Sequence, residues 1–168
     1  MSTVRGERRA DRERRRAREF DSFVAGAAGR LLHTATLLTA EPLRPAGANP
    51  RALRLLTAAL ARTYARWDRS RGEDPYDRTR QELVVRFARE VWRHHRPRGG
   101  PLDPLTPQER LVLVLRLYEG VAEEQAAALL ELPADRLRAV CNRSVATMRG
   151  TRRPTARWRP YRAAGASS

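Results

Sequence analysis

The sequence lacks several features that define common protein classes. It has a single cysteine, Cys141, so no disulfide can form within one chain, and we expect a protein of the reducing cytoplasm. Aromatic residues make up only 6% of the 168 residues. No apolar run approaches the roughly 20 residues that span a bilayer. These shortages favour modest helical cores, and we expect no membrane partner.

Lysine is absent as well, so all 34 basic residues are arginine. They outnumber 19 acidic residues and give a net charge of +15 at pH 7. An excess of this size attracts polyanions, and nucleic acid is the polyanion we expect. The sequence shows no nucleophile with its base, no paired carboxylates, no metal-ligand spacing and no glycine-rich phosphate loop. We therefore predict a protein that is not an enzyme and takes no cofactor, metal or small-molecule substrate.

Apolar residues recur at steps of three and four, which predicts amphipathic helices. Residues 19–94 contain three such segments, separated by prolines. The second segment begins with Asn49-Pro50, where the asparagine is expected to cap the helix. Leu53 heads its predicted core face. We predict a three-helix bundle over this range.

The segment 95–104 carries three prolines and two glycines and is the predicted linker. Thr106-Pro107-Gln108-Glu109 then forms a capping box, a specific helix start. Residues 105–149 continue with a short helix, a turn at Leu132-Pro133 and a longer helix, which is the helix-turn-helix arrangement. The predicted fold is all-α, with two small helical domains joined by a Pro/Gly linker.

Both ends of the chain are rich in arginine and lack a periodic apolar pattern. Residues 1–18 are interpreted as a basic flexible arm, and residues 150–168 as a basic flexible tail in which arginines alternate with Trp158 and Tyr161.

The last helix presents a polar set opposite its apolar face. In a helix-turn-helix the second helix enters the major groove, where arginine pairs with guanine and asparagine with adenine. The candidates for DNA contact are Asp135, Arg136, Arg138, Ala139, Asn142 and Arg143.

The sequence resembles a known family over about 19 to 149. LTPQERLVLVLRLYEGVAEEQAAALLELPADRLRAVCNRSVATMR is similar, without gaps, to region 4 of extracytoplasmic-function (ECF) sigma factors. EFDSFVAGAAGRLLHTATLLTAEP and ALARTYARW look like parts of region 2 in the same family, and LVVRFAREVWR matches its later segment more loosely.

This resemblance implies a promoter-specificity subunit of RNA polymerase. Its partners would be core RNA polymerase, double-stranded promoter DNA and an anti-sigma protein. The polymerase-binding positions would be Arg51, Arg54, Leu55, Thr57 and Ala58. The promoter-melting positions would be Val85, Arg89 and Trp92.

Some positions differ from the family pattern. Arg51 and Arg54 stand where the family has acidic residues, Val85 replaces an asparagine, and Glu131 replaces the glycine of the turn. Two alternatives therefore remain beside the sigma-factor hypothesis. One is a sigma-like regulator that acts through protein contacts without productive polymerase binding, and the other is a simple DNA-binding protein that uses only residues 105–149.

Overall fold

The computed structural model describes residues 2–45, 47–70 and 72–151, and the tail with Trp158 and Tyr161 lies outside these ranges. The described part is all-helical, which confirms the predicted fold class. Its α-helices are α1 (Ser2–Thr39), α2 (Pro50–Ala65), α3 (Pro75–Arg89), α4 (Pro107–Leu113), α5 (Glu123–Leu129) and α6 (Ala134–Thr151). Short 3₁₀ turns follow α2 and α3, and one π-helical stretch, Val114–Tyr118, follows α4.

Helices α1 to α3 pack against one another. Leu31 and Leu38 of α1 are fully buried, as are Leu83 and Phe87 of α3. Burying apolar side chains of this size stabilises the fold by roughly 1.5–3 kcal/mol for each one. The bundle is therefore held by the apolar stripes that the sequence pattern indicates.

The residues of the predicted basic arm are helical in the structure. From Ser2 onward they belong to α1, a single helix of 38 residues. Arg15 donates a hydrogen bond of 2.8 Å to Glu19, one turn later, and Arg14 pairs with Asp11. Ion pairs at these spacings support an exposed helix, which a search for apolar periodicity does not detect.

The start of α2 is capped by a residue that the sequence analysis missed. Asn49 makes no capping hydrogen bond with its side chain. The carboxylate of Glu41 accepts instead from the backbone N–H groups of Arg51 at 3.0 Å and Ala52 at 2.8 Å. The placement of Leu53 on the predicted core face of α2 is wrong, because it is 44% exposed, whereas Leu56 of the same predicted face is buried, as are Ala52 and Leu55.

The proline- and glycine-rich segment 95–104 packs against the end of α1. The Gly100 N–H donates to the carbonyl oxygen of Ala40 at 2.9 Å. A Cβ atom at Gly100 would collide with the same carbonyl group, so only glycine fits there. The glycine that was interpreted as part of a tether is therefore required by a close contact between two segments of backbone.

Arg110 of α4 is the largest fully buried side chain of the described residues. Its guanidinium donates to the carbonyl oxygens of Leu38 at 3.3 Å, His94 at 3.0 Å and Leu105 at 3.1 Å. These acceptors belong to α1, to the turn after α3 and to the segment before α4. One cation thus joins the three-helix bundle to the C-terminal helices.

Glu119 forms a second buried link between the same two parts. Its carboxylate accepts hydrogen bonds from the hydroxyls of Thr34 on α1 and, at 3.0 Å, Tyr76 on α3. Arg30 and Arg80 approach it at 3.7 and 3.6 Å. Burial and this carboxylate raise the pKa of Tyr76, so its hydroxyl remains a donor.

Candidate nucleic-acid interface

A tight turn joins α5 to α6. Glu131 occupies the left-handed region with φ of 54°. The Leu132 N–H then donates to the carbonyl oxygen of Ala127 at 2.9 Å and closes the end of α5. Pro133 comes directly before α6, and its carbonyl oxygen accepts from Leu137 N–H at 3.0 Å. Pro133 therefore takes the N-cap position rather than the first helical turn.

The inner face of α6 packs on α4 and α5. Leu137, Val140 and Ser144 are buried, and Cys141 is half-buried beside them. The predicted capping box at the start of α4 is confirmed, because the Thr106 hydroxyl accepts from Glu109 N–H and the Glu109 carboxylate accepts from Thr106 N–H. Helix α6 therefore packs on a helix, α4, whose start is fixed by the capping box at Thr106.

The outer face of α6 carries all six candidates for DNA contact. These residues are exposed and lie on the side of the helix opposite Leu137 and Ser144: Asp135, Arg136, Arg138, Ala139, Asn142 and Arg143. Arg149, which the sequence analysis did not name, is exposed on the same side, two turns beyond Asn142. The helical periodicity that identified the other six would also have found it.

The arginines of this face differ in how far they are neutralised. Arg138 donates to Glu123 and lies 3.4 Å from Asp135. The hydrogen bond with Glu123 raises the pKa of Arg138. Arg136, by contrast, has no ion pair with any residue that the structure describes. It is a free cation in the first turn of α6.

Arg143 is held at the junction of α6 with α4. Its Nε donates to Glu109 Oε1 at 3.0 Å, while 62% of its side chain stays exposed. Burial would raise the pKa of Glu109, but hydrogen bonds from Thr106 and Arg143 lower it, so the carboxylate is charged at neutral pH. Glu109 therefore serves both the capping box and the orientation of Arg143.

The positions that the resemblance assigns to polymerase binding lie on α2. Arg54 and Thr57 are exposed, and Arg51 and Ala58 are half-exposed. Leu55 is only 4% exposed and faces the bundle core, which corrects its assignment to a contact surface. Leu53 takes its place on the outer face.

The positions assigned to promoter melting lie at and beyond the end of α3. Arg89 is exposed and Val85 half-buried. Trp92 lies in the following 3₁₀ turn with 67% of its surface exposed, and the Arg93 guanidinium is 4.7 Å from its ring centre. Val85 and Arg89 line a groove of about 740 Å³ that α4 and the end of α5 complete. This groove depends on how the two parts of the chain pack and was not predicted.

Two further properties concern other kinds of site. Across the described ranges, no helix has both the length and the apolar character needed to cross a membrane. The same residues contain no group of three or more histidine, cysteine or acidic side chains that could hold a metal ion.

Comparisons with known proteins point to the transcription apparatus. No protein-family model matches the chain. It is 26% identical over 156 aligned residues to the RNA polymerase sigma-E factor of Streptomyces coelicolor. The alignment covers 78% of this chain and 84% of that protein. The sigma-E factor of Streptomyces antibioticus is 27% identical, with 78% and 83% covered. The chain resembles sigma factors over a span too long for either helical module alone.

A solved structure shares the fold. The co-crystal structure of the anti-anti-sigma factor PhyR with the anti-sigma factor NepR from Bartonella quintana matches with a TM-score of 0.54 and 20% identity. The match covers 78% of this chain but 49% of the other, so this chain spans about half the length of that one. At this identity the likeness shows the fold alone.

Proposed function

We propose that this protein is a sigma factor-like regulator of transcription initiation, which binds core RNA polymerase and directs it to promoter DNA. The similarity to RNA polymerase sigma-E factors along both helical modules is the observation that carries the proposal. The exposed outer face of α6, which follows a tight turn after α5, supplies the polar side chains for DNA contact.

In this proposal α6 lies in the major groove of promoter DNA. Arg136 is free to pair with guanine or a phosphate group, and Asn142 is suited to adenine. Arg143 and Arg149 lie farther along the helix, where they contact the phosphate backbone. The polymerase provides the catalytic chemistry, so the chain itself needs no nucleophile, metal or cofactor.

The outer face of α2 contacts the polymerase, and the end of α3 contacts the melted strand. Leu53, Arg54 and Thr57 form the exposed part of the first surface. Trp92 offers an exposed ring for base stacking at the second, and Arg89 a nearby cation.

Reconstituted transcription tests the proposal. Purified protein is added to core RNA polymerase with fragments of the source genome, and transcript starts are mapped. Defined starts that depend on the protein, and that disappear in an Arg136→Gln/Asn142→Ala variant, are the expected result. Absence of both core binding and protein-dependent starts at modest salt refutes it.

A regulator that acts through protein contacts is the second candidate. Arg51 and Arg54 place positive charge on α2 where the family has acids, and like charges at an interface can cost several kcal/mol. The fold is shared with a chain from the structure of the anti-anti-sigma factor PhyR in complex with the anti-sigma factor NepR, which is consistent with such a role. Pull-down with core polymerase separates the two candidates, because this one predicts no retention of the polymerase.

A further inference from the structure

The first turns of α1 carry an unusual distribution of charge. Residues 2–18 contain eight arginines and three acidic residues. At about 100° per residue, six of these arginines fall within an arc of about 120° on the helix, and the three acids fall outside it. We call the five that follow Gly6 the arginine stripe; it consists of Arg8, Arg9, Arg12, Arg15 and Arg16.

The stripe divides into an anchored end and a free end. Arg16 joins the helix to the bundle, with its guanidinium 4.3 Å from the ring centre of Tyr64 and 3.5 Å from Asp68. Arg15 is paired with Glu19. Both cations nearest the body are therefore partly neutralised.

Farther from the body the cations are unpaired. Arg8, Arg9 and Arg12 are exposed and form no ion pair with a described residue. Because α1 continues past Arg16 toward Ser2 for about 20 Å, these side chains lie on helical backbone beyond the residue that joins α1 to the bundle. Their charge is not needed to hold the fold together.

The chemistry of the stripe selects one kind of polyanion. A helix that inserts into a membrane surface carries an apolar face beside its basic face. Between Gly6 and Glu19 the only apolar side chains are those of Ala10 and Ala17, so no such face exists. Duplex DNA carries one negative charge per roughly 1.7 Å of its axis, and guanidinium groups bind phosphate oxygens in a bidentate manner.

We propose that the arginine stripe of α1 is a second DNA-binding surface, which contacts the phosphate backbone of duplex DNA without regard to sequence. The inference rests on the proposed function only in taking DNA as the polyanion that the protein meets. A sequence-independent contact holds the protein near the duplex while α6 reads the bases.

Salt-dependent binding to a duplex of random sequence tests the surface. The test variant is Arg8→Gln/Arg12→Gln, and the matched control is Arg14→Gln/Arg18→Gln, which removes the same charge outside the arc. Fluorescence anisotropy should show about tenfold weaker binding at low salt for the test variant, and a salt slope reduced by about two. The control should stay within about twofold of the unmodified protein, and circular dichroism checks that α1 stays helical in both.

Each other outcome is decisive. Equal weakening in the two variants would show that only net charge matters and would overturn the proposal, as would unchanged binding in the test variant. Binding to vesicles containing phosphatidylserine but not to the duplex would assign the stripe to a membrane and overturn it too. Adding Arg136→Gln to the test variant and to the unmodified protein should leave the stripe-dependent loss the same in both backgrounds, so failure of promoter recognition by α6 is measured separately.

Discussion

Glu131 occupies a turn position whose backbone conformation favours glycine. Its backbone has φ of 54°, a conformation that costs a residue with a Cβ atom about 1–2 kcal/mol. We predict that Glu131→Gly raises the free energy of unfolding by about 1 kcal/mol, measured by urea denaturation. Ala128→Gly, in the helical backbone of α5, is the control and should lower it by a similar amount. A loss of stability in both variants would show that the turn carries no strain.

Two arginines on the same face of α6 should contribute unequally to DNA binding. Arg136 is free, whereas Arg138 is already paired with Glu123 and Asp135. The sequence alone does not rank these two arginines, but the pairing of Arg138 makes Arg136 the stronger candidate. Arg136→Gln should weaken binding to a promoter duplex and reduce the salt slope by about one. Arg138→Gln should change the slope by less than half as much, and a larger effect at Arg138 would contradict this order.

At the scale of the helix, the question for α2 is whether the charge of its exposed face weakens polymerase binding. Arg54 is exposed at a position that is acidic in the resembled family, so Arg54→Glu restores the family charge. We expect about fivefold greater retention of core RNA polymerase in a pull-down, because a repulsive contact becomes attractive. Arg69→Glu makes the same charge change in the 3₁₀ turn after α2 and should have no such effect. Weaker retention in the Arg54 variant would show that its cation is itself a polymerase contact.

The helices differ in how well the sequence predicts them. The capping box at Thr106 and the stripe of Leu31 and Leu38 were predictable, because each depends on residues close together in the chain. The core face of α2 was not fully predictable, since leucines stand on several sides of that helix and local periodicity permits more than one register. Its cap depends on Glu41, outside the helix and beyond the prolines, and no local pattern points to it.

The candidate site shows the same division. Periodicity placed the six residues of the α6 face together on exposed surface. It could not show that Arg138 is neutralised by Glu123, because that pair forms only when α5 and α6 fold against each other.

In the whole molecule, buried charges connect the two helical parts. Arg110 donates to carbonyl groups from several segments, and Glu119 accepts from α1 and α3. Charged residues are rarely buried, so the sequence gives no reason to expect either one inside. Such groups are costly to bury unless every donor and acceptor is satisfied, which favours one relative placement of the two parts over others.

His94 lies at this junction and should make stability depend on pH. Its ring is 5% exposed, lies 4.4 Å from that of Phe87 and has no hydrogen-bond partner among the described residues. Burial, then the charges of Arg98 and Arg110, lower the pKa of His94 to about 4. The unfolded chain, with a histidine pKa near 6.5, therefore binds the proton first as the pH falls. The stability present at pH 7 is lost progressively between about pH 6.5 and 4.

The variant His94→Phe isolates this contribution, because phenylalanine keeps the ring stack and cannot take up a proton. The backbone carbonyl that Arg110 uses is unchanged by the substitution. Between pH 7 and pH 5 the unmodified protein should lose about 2 kcal/mol more unfolding free energy than the variant, at about 1.4 kcal/mol per unit of pKa difference. Urea denaturation at each pH measures both. Parallel pH profiles would mean that the histidine is protonated without cost in the folded protein, and that the junction is open to water.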